Sequence, residues 1–297
     1  MPTAAIVRRP NRPRRPESAG PAQELLGEGA LLTQSPAIRS AADPAPAVDV
    51  KAARLAYRGE LLFDDLDLAL PAGRTTCLLG PSGVGKSSLL RLIAGLAEGA
   101  RGHVGDTAGA AVQGRIAYMA QDDLLLPWAT VLGNVMLGPR LRGEPADAQT
   151  RARAMELLAR VGLAASAAAR PDRLSGGMRQ RAALARTLME QRPIVLMDEP
   201  FSSLDAITRY ELQNMAAGLL AGRTVLLVTH DPLEALRLGH RILVMAGRPA
   251  RLDQALEPAG IPPRDPSDPD LLAHQAELLK HLARAHAGSA ERGGAAP

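Results

Sequence analysis

The chain has 297 residues, 46% of them hydrophobic, which is enough apolar material to bury one sizeable core rather than two. Its formal net charge of +4 is explained by the first 16 residues, where Arg8, Arg9, Arg12, Arg14 and Arg15 meet no acid, so the remainder is near neutral and a nucleic-acid partner is not expected. The single cysteine, Cys77, excludes a disulfide within the chain and a thiolate metal cluster, and its apolar neighbours predict a buried strand residue.

Residues 1–47 are rich in Pro, Ala and Arg, with Pro10, Pro13, Pro16, Pro21, Pro36, Pro44 and Pro46 spread through them, and read as a disordered extension. They lack the apolar stretch of a signal peptide, and no run in the chain is long enough to span a bilayer, so a cytoplasmic location is expected. Order is predicted from Val48. Leu66, Leu68 and Leu70 alternate with Asp65, Asp67 and Ala69 as in a half-buried strand, and Pro71-Ala72-Gly73 then makes a turn.

The short apolar runs Thr75–Leu79, Ile194–Met197 and Thr224–Val228 predict strands covered on both faces. Helical patterns around Ser87–Ala97, Met178–Glu190, Ala206–Leu220 and Asp231–Leu238 alternate with them. The expected fold is α/β, a mostly parallel sheet between helices with antiparallel strands near the start. The main domain is assigned to residues 48–250. A Pro-rich connector from Pro258 to Pro269 follows, then an amphipathic helix on Leu272, Ala276, Leu279 and Ala283, widened by Leu271, Leu278 and Leu282, with a disordered end.

Gly80-Pro81-Ser82-Gly83-Val84-Gly85-Lys86-Ser87 satisfies G-x-x-x-x-G-K-[ST] and stands between a predicted strand and a predicted helix that continues with Ser88. Its glycines let backbone N–H groups turn toward phosphates, Lys86 adds a full positive charge, and Ser87 is suited to ligate Mg²⁺. Farther on, the apolar run Ile194–Met197 ends in Asp198 and Glu199. Asp198 is placed to hold the metal and Glu199 to act as general base on the attacking water. These parts hold and cleave a nucleoside triphosphate.

Leu174-Ser175-Gly176-Gly177-Met178, followed by Arg179-Gln180-Arg181, resembles the signature of ATP-binding cassette (ABC) proteins. The resemblance covers about residues 48–250 and implies a P-loop ATPase with an antiparallel β subdomain and a helical signature subdomain at about 122–180. It implies that the signature of one copy closes over the ATP of a second copy in a head-to-tail dimer. Ser202-Ser203-Leu204-Asp205 resembles the loop that crosses to that partner. By the same resemblance Gln121 contacts metal and water, His230 is the switch histidine at the γ-phosphate, and Tyr57 stacks on adenine.

The stretch from Asp122 to Val135 is similar to importers of nitrate, sulfonates, taurine and a thiamine precursor. That branch implies an integral permease, a substrate-binding protein acting indirectly, and a position on the inner face of the plasma membrane. Leu124–Leu126 and Trp128 either line the groove for the permease or pack the core. Gly73–Leu79 and Asp231–His240 look most like the hydroxymethylpyrimidine importers, with nitrate, sulfonate or taurine as alternative cargo. A soluble ABC ATPase without a permease is the rival reading.

Overall fold

The computed structural model describes residues 45–57, 59–253 and 255–293, with side chains described to residue 283. The expectation of disorder for residues 1–44 and for the last four residues lies outside them. Residues 45–47 belong to the ordered body, where the Pro46 carbonyl accepts a hydrogen bond from Thr224 Oγ1 at 2.7 Å.

β1 (Val48–Tyr57), β2 (Glu60–Leu70) and β4 (Arg101–Asp106) form an antiparallel sheet in the order β2-β1-β4. Leu66, Leu68 and Leu70 point inward while Asp65, Asp67 and Ala69 stay exposed, as the two-residue period requires. The second sheet runs β5 (Ile116–Met119), β6 (Ile194–Asp198), β7 (Thr224–Val228), β3 (Thr75–Leu79), β8 (Arg241–Gly247) and β9 (Ala250–Leu252). Its first five strands are parallel and β9 returns antiparallel on β8.

β6 and β7 are buried at every residue because each face meets its own hydrophobic cluster. One cluster takes Val195, Met197, Val225 and Leu227 with Cys77 and helix residues, among them Leu184 and Leu212. The other takes Ile194, Leu196, Leu226 and Val228 with Leu89, Ile93 and the antiparallel sheet. Strands covered on both sides lose the alternation that a one-sided strand shows.

Helix α1 (Lys86–Ile93) follows β3; α2 (Val131–Val135), α3 (Leu137–Leu141) and α4 (Ala148–Arg160) precede α5 (Gly176–Met189), which leads to β6. α6 (Ala206–Leu220) joins β6 to β7, and α7 (Pro232–Leu238) joins β7 to β8. The C-terminal ends of β6, β7 and β3 therefore lie side by side, where a parallel sheet presents ligands to the loops that follow its strands.

Beyond residue 250 the described chain goes on packing against the same body. β9 pairs with β8, Leu256 bridges Ile242, and Arg264 is buried with its guanidinium donating to the carbonyls of Leu236 and Gly239 at 2.6 and 2.7 Å. Those carbonyls end α7 and lack helical partners, so a buried arginine that satisfies them anchors the connector. On α8 (Pro269–Gly293), Leu271 and Leu278 enter the main core, while Leu272 and Leu279 remain half exposed. The stripe that docks is thus one residue offset from the one the sequence centred.

Candidate functional site: a phosphate loop, a carboxylate pair and a second helix start

The loop after β3 is shaped by backbone crowding. A Cβ on Gly80, whose φ is +156°, would lie 2.4 Å from the Met245 carbonyl of β8, so only glycine lets the chain leave the sheet there. Gly85 takes φ +112° directly before α1. No side chain caps α1, and its first turn carries no acid. The free amides and the helix dipole make that end attractive to anions.

Lys86 is 5% exposed, and its Nζ donates to the carbonyls of Gly80 and Pro81 at 2.8 and 3.0 Å. Burial lowers its pKa, an effect opposed by the negative charges of Glu199 and Asp198. Ser87 Oγ donates to Asp198 Oδ1 at 3.0 Å. Burial raises the Asp198 pKa and Glu199 adds to the rise; the Ser87 hydrogen bond and the cations Arg91 and Lys86 oppose it. The start of α1 and the end of β6 are thereby joined through two of the three residues predicted to hold metal.

Two further residues reach this carboxylate that the motifs did not single out. Tyr118 at the end of β5 places its hydroxyl 3.5 Å from Asp198 Oδ2 and is bonded to Arg91 of α1. Their only signal in the sequence is position: one precedes Gln121 by a short step and the other lies in the helix behind the phosphate loop.

Glu199 is the first residue beyond β6 and adopts φ +45°, a left-handed conformation that is strained for a side chain of this kind. Its amide donates to the Val228 carbonyl at 2.9 Å, and its Oε2 lies 3.0 Å from His230 Nδ1. The pairing of β6 with β7 brings these two residues together across 31 positions of sequence.

The second device is separate from the first. Ser175 caps α5 by accepting from the Met178 amide at 3.2 Å. Ser175 and Gly176 are exposed, Leu174 is buried, and Gly177 and Met178 are partly covered. A Cβ on Gly177 would fall 2.6 Å from Thr208 Cγ2, so glycine permits the close approach of α5 to α6. Ser203 and Asp205 are exposed beside buried Leu204, and Asp205 caps α6 by accepting from the Thr208 amide at 3.0 Å.

Gln121 is exposed, and its carbonyl accepts from Gln180 of α5 at 3.3 Å. Its side chain is not among the groups joined at Ser87, Asp198, Glu199 and His230. Tyr57 is 61% exposed at the end of β1. Of the apolar residues after Gln121, Leu125 enters the core, whereas Leu124 and Trp128 are 62% and 70% exposed, which removes core packing for those two.

Residues 63–202 match the family model described as ABC transporter. The chain is 46% identical over 231 residues to the aliphatic sulfonates import ATP-binding protein SsuB 1 of Rhodococcus jostii (strain RHA1), covering 77% of this chain and 90% of that protein. It is 41% identical over 246 residues to the protein of the same name from Pseudomonas syringae pv. syringae (strain B728a), covering 82% and 99%. Among solved structures it is similar to a dimeric bacterial ABC transporter cassette, with a TM-score of 0.63 and 29% identity over 72% of this chain and all of that one. The same values hold for a dimeric post-hydrolysis state of that cassette bound to ADP and Pi. With the glycine-lined loop, the carboxylate pair and the separate capped helix start all in place, this chain belongs to the ABC transporter ATP-binding family and is an ATPase.

Proposed function

We propose that two copies of this chain close head to tail on ATP and that closure and hydrolysis drive an importer through a separate membrane permease. The observation that carries this reading is the separation of two phosphate-directed helix starts within one chain. The first is enclosed and supplied with its own buried lysine. The second, at Ser175-Gly176-Gly177, is turned outward and has no carboxylate pair of its own. A two-fold arrangement lets each exposed start close over the other copy's enclosed one.

In this reading Gly80 through Ser88 hold the phosphates, Tyr57 stacks on the adenine, and the Leu174–Met178 segment meets the partner's ATP. The Ser203–Asp205 loop crosses to the partner. Glu199 takes the proton of the attacking water, and His230, held against it, orients the γ-phosphate and Glu199 together. Gln121 approaches from the loop facing the permease.

Ser87 and Asp198 offer hard oxygen donors 3.0 Å apart, which suits Mg²⁺ completed by phosphate oxygens and water. Bound there, the ion would neutralise charge on the β- and γ-phosphates. The exposed Leu124 and Trp128 supply apolar anchors for a permease helix. The subunit then works on the cytoplasmic face of the membrane; among the described residues no helix is long and apolar enough to cross one.

The names of the relatives support an aliphatic sulfonate as cargo. They give no support to hydroxymethylpyrimidine, which is not part of this proposal. The test is hydrolysis against protein concentration, together with size-exclusion of Glu199→Gln in ATP. Hydrolysis should rise more than linearly, and the variant should hydrolyse about 10²–10⁴-fold more slowly while forming a dimer only in ATP. A monomeric variant with ATP bound, alongside strictly linear hydrolysis, would refute pairing in the isolated subunit.

A further inference from the structure

The strained turn that begins at Glu199 is braced in part from within. The Glu199 carbonyl accepts from the Ser202 amide at 3.3 Å and from its hydroxyl at 3.0 Å, and the Phe201 carbonyl accepts from the Leu204 amide at 3.3 Å. One side chain from outside grips the same turn. Arg209, in the first turns of α6, donates through Nε to the Phe201 carbonyl at 3.3 Å and through Nη2 to the Leu204 carbonyl at 2.9 Å.

Its third nitrogen points elsewhere. Arg209 Nη1 lies 3.6 Å from Asp231 Oδ2, and Asp231 follows His230 directly. Asp231 is itself fixed: its Oδ1 accepts from the Leu233 and Glu234 amides at 2.9 and 3.4 Å, and its amide donates to Thr229 Oγ1 at 3.0 Å. Because His230 Nδ1 meets Glu199 Oε2, the contacts close into a ring running Glu199, turn 201–204, Arg209, Asp231, His230 and back to Glu199.

From this ring we infer that Arg209 is a positioning residue for hydrolysis, holding the Glu199 turn and the His230 segment in register with the loop that crosses to the partner. The inference rests on the roles proposed above for Glu199 and His230. The ion pair alone is a weak reason for it, since both partners are about one-third exposed and such pairs contribute little. The planar fork matters more: two carbonyls of one loop and a carboxylate of another are fixed by a single rigid group, a geometry that lysine does not reproduce. A left-handed Glu199 persists only while its surroundings hold it there. Loss of the fork leaves the phosphate loop, formed by β3 and α1, untouched.

The experiment measures steady-state ATP hydrolysis for wild type, Arg209→Ala, Arg209→Lys, Glu199→Gln and the Arg209→Ala/Glu199→Gln pair, with melting temperature recorded for each. Arg209→Ala is expected to lower kcat by about 10–100-fold, the cost of a small misplacement of reacting groups, with KM for ATP changed less than about twofold. Arg209→Lys should fall between Ala and wild type, and it carries the comparison if the Ala variant melts early. In the Glu199→Gln background Arg209→Ala should cost little more, because groups acting as a unit are not additive. Wild-type kcat in folded Arg209→Ala, or an equal further loss in the Glu199→Gln background, overturns the inference. Should Glu199→Gln hydrolyse as fast as wild type, the base assignment fails instead, and the two Arg209 variants still decide whether Arg209 affects kcat.

Discussion

The starts of α1 and α5 both join small residues to a helix N-terminus, yet they are finished differently. α1 begins behind a left-handed glycine with no capping side chain, and a buried lysine occupies the space in front of its loop. α5 begins at an exposed serine whose hydroxyl already satisfies one of the orphan amides. In the proposed function the first end keeps its donors for the nucleotide held by this chain, while the second, already capped, offers what remains outward. Similar local chemistry thus serves two purposes, separated by burial.

The largest expected break in that contrast comes at the first helix. Lys86→Ala should weaken ATP binding by about 10–100-fold, the range for losing hydrogen bonds from a charged donor, as read by calorimetry or equilibrium dialysis. Undiminished affinity would show that the lysine does not serve the phosphates.

Behind the first site lies Glu234 of α7, whose carboxyl burial pushes up to about 7. It faces Thr229, Gln213, Asp231 and Arg209, and Gln213 Nε2 donates to its Oε2 at 3.1 Å. The folded protein therefore keeps a proton that the unfolded chain releases above its ordinary 4.5. Stability from this group is full below about 4.5 and declines as pH rises to about 7, by about 1.4 kcal/mol per pH unit within that window. Denaturation of Glu234→Gln should lack that share of the slope; identical slopes would contradict a buried, protonated Glu234.

The smallest change sharpens the contrast at the second helix. Ser175→Ala removes the cap and should cost about 1 kcal/mol in stability. ATP affinity of the dilute monomer should stay as it was, while hydrolysis at concentrations that permit pairing falls. A loss of monomer affinity would mean that both helix starts serve one nucleotide within one chain.

Much of the phosphate loop was legible in the sequence, because a tight loop needs glycine at particular steps and a phosphate needs lysine and hydroxyl beside it. Gly80, Gly85, Lys86 and Ser87 are neighbours in sequence, so their spacing carries the geometry. The strand–helix alternation was legible for a related reason, since an apolar run of five residues has few other uses. Tyr118, Arg91 and Arg209 were not legible. Each acts on a group distant in sequence, and an arginine that forks onto carbonyls is spelled like any surface arginine. The connector around Arg264 was legible as a Pro-rich segment, but that its arginine satisfies the end of α7 was not, for the same reason.

The sequence by itself determined the identity of the chemistry, the order of the elements and the phosphate loop, because those depend on contacts within a few residues. Only the tertiary structure decided that Ser87 meets Asp198, that Glu199 meets His230, and that Arg209 joins their loops. It likewise decided which leucines of α8 dock and which of Leu124, Leu125 and Trp128 face outward. Those outcomes depend on strand order, and strand order is set by how the two faces of the central sheet are covered, which no short stretch of residues encodes alone.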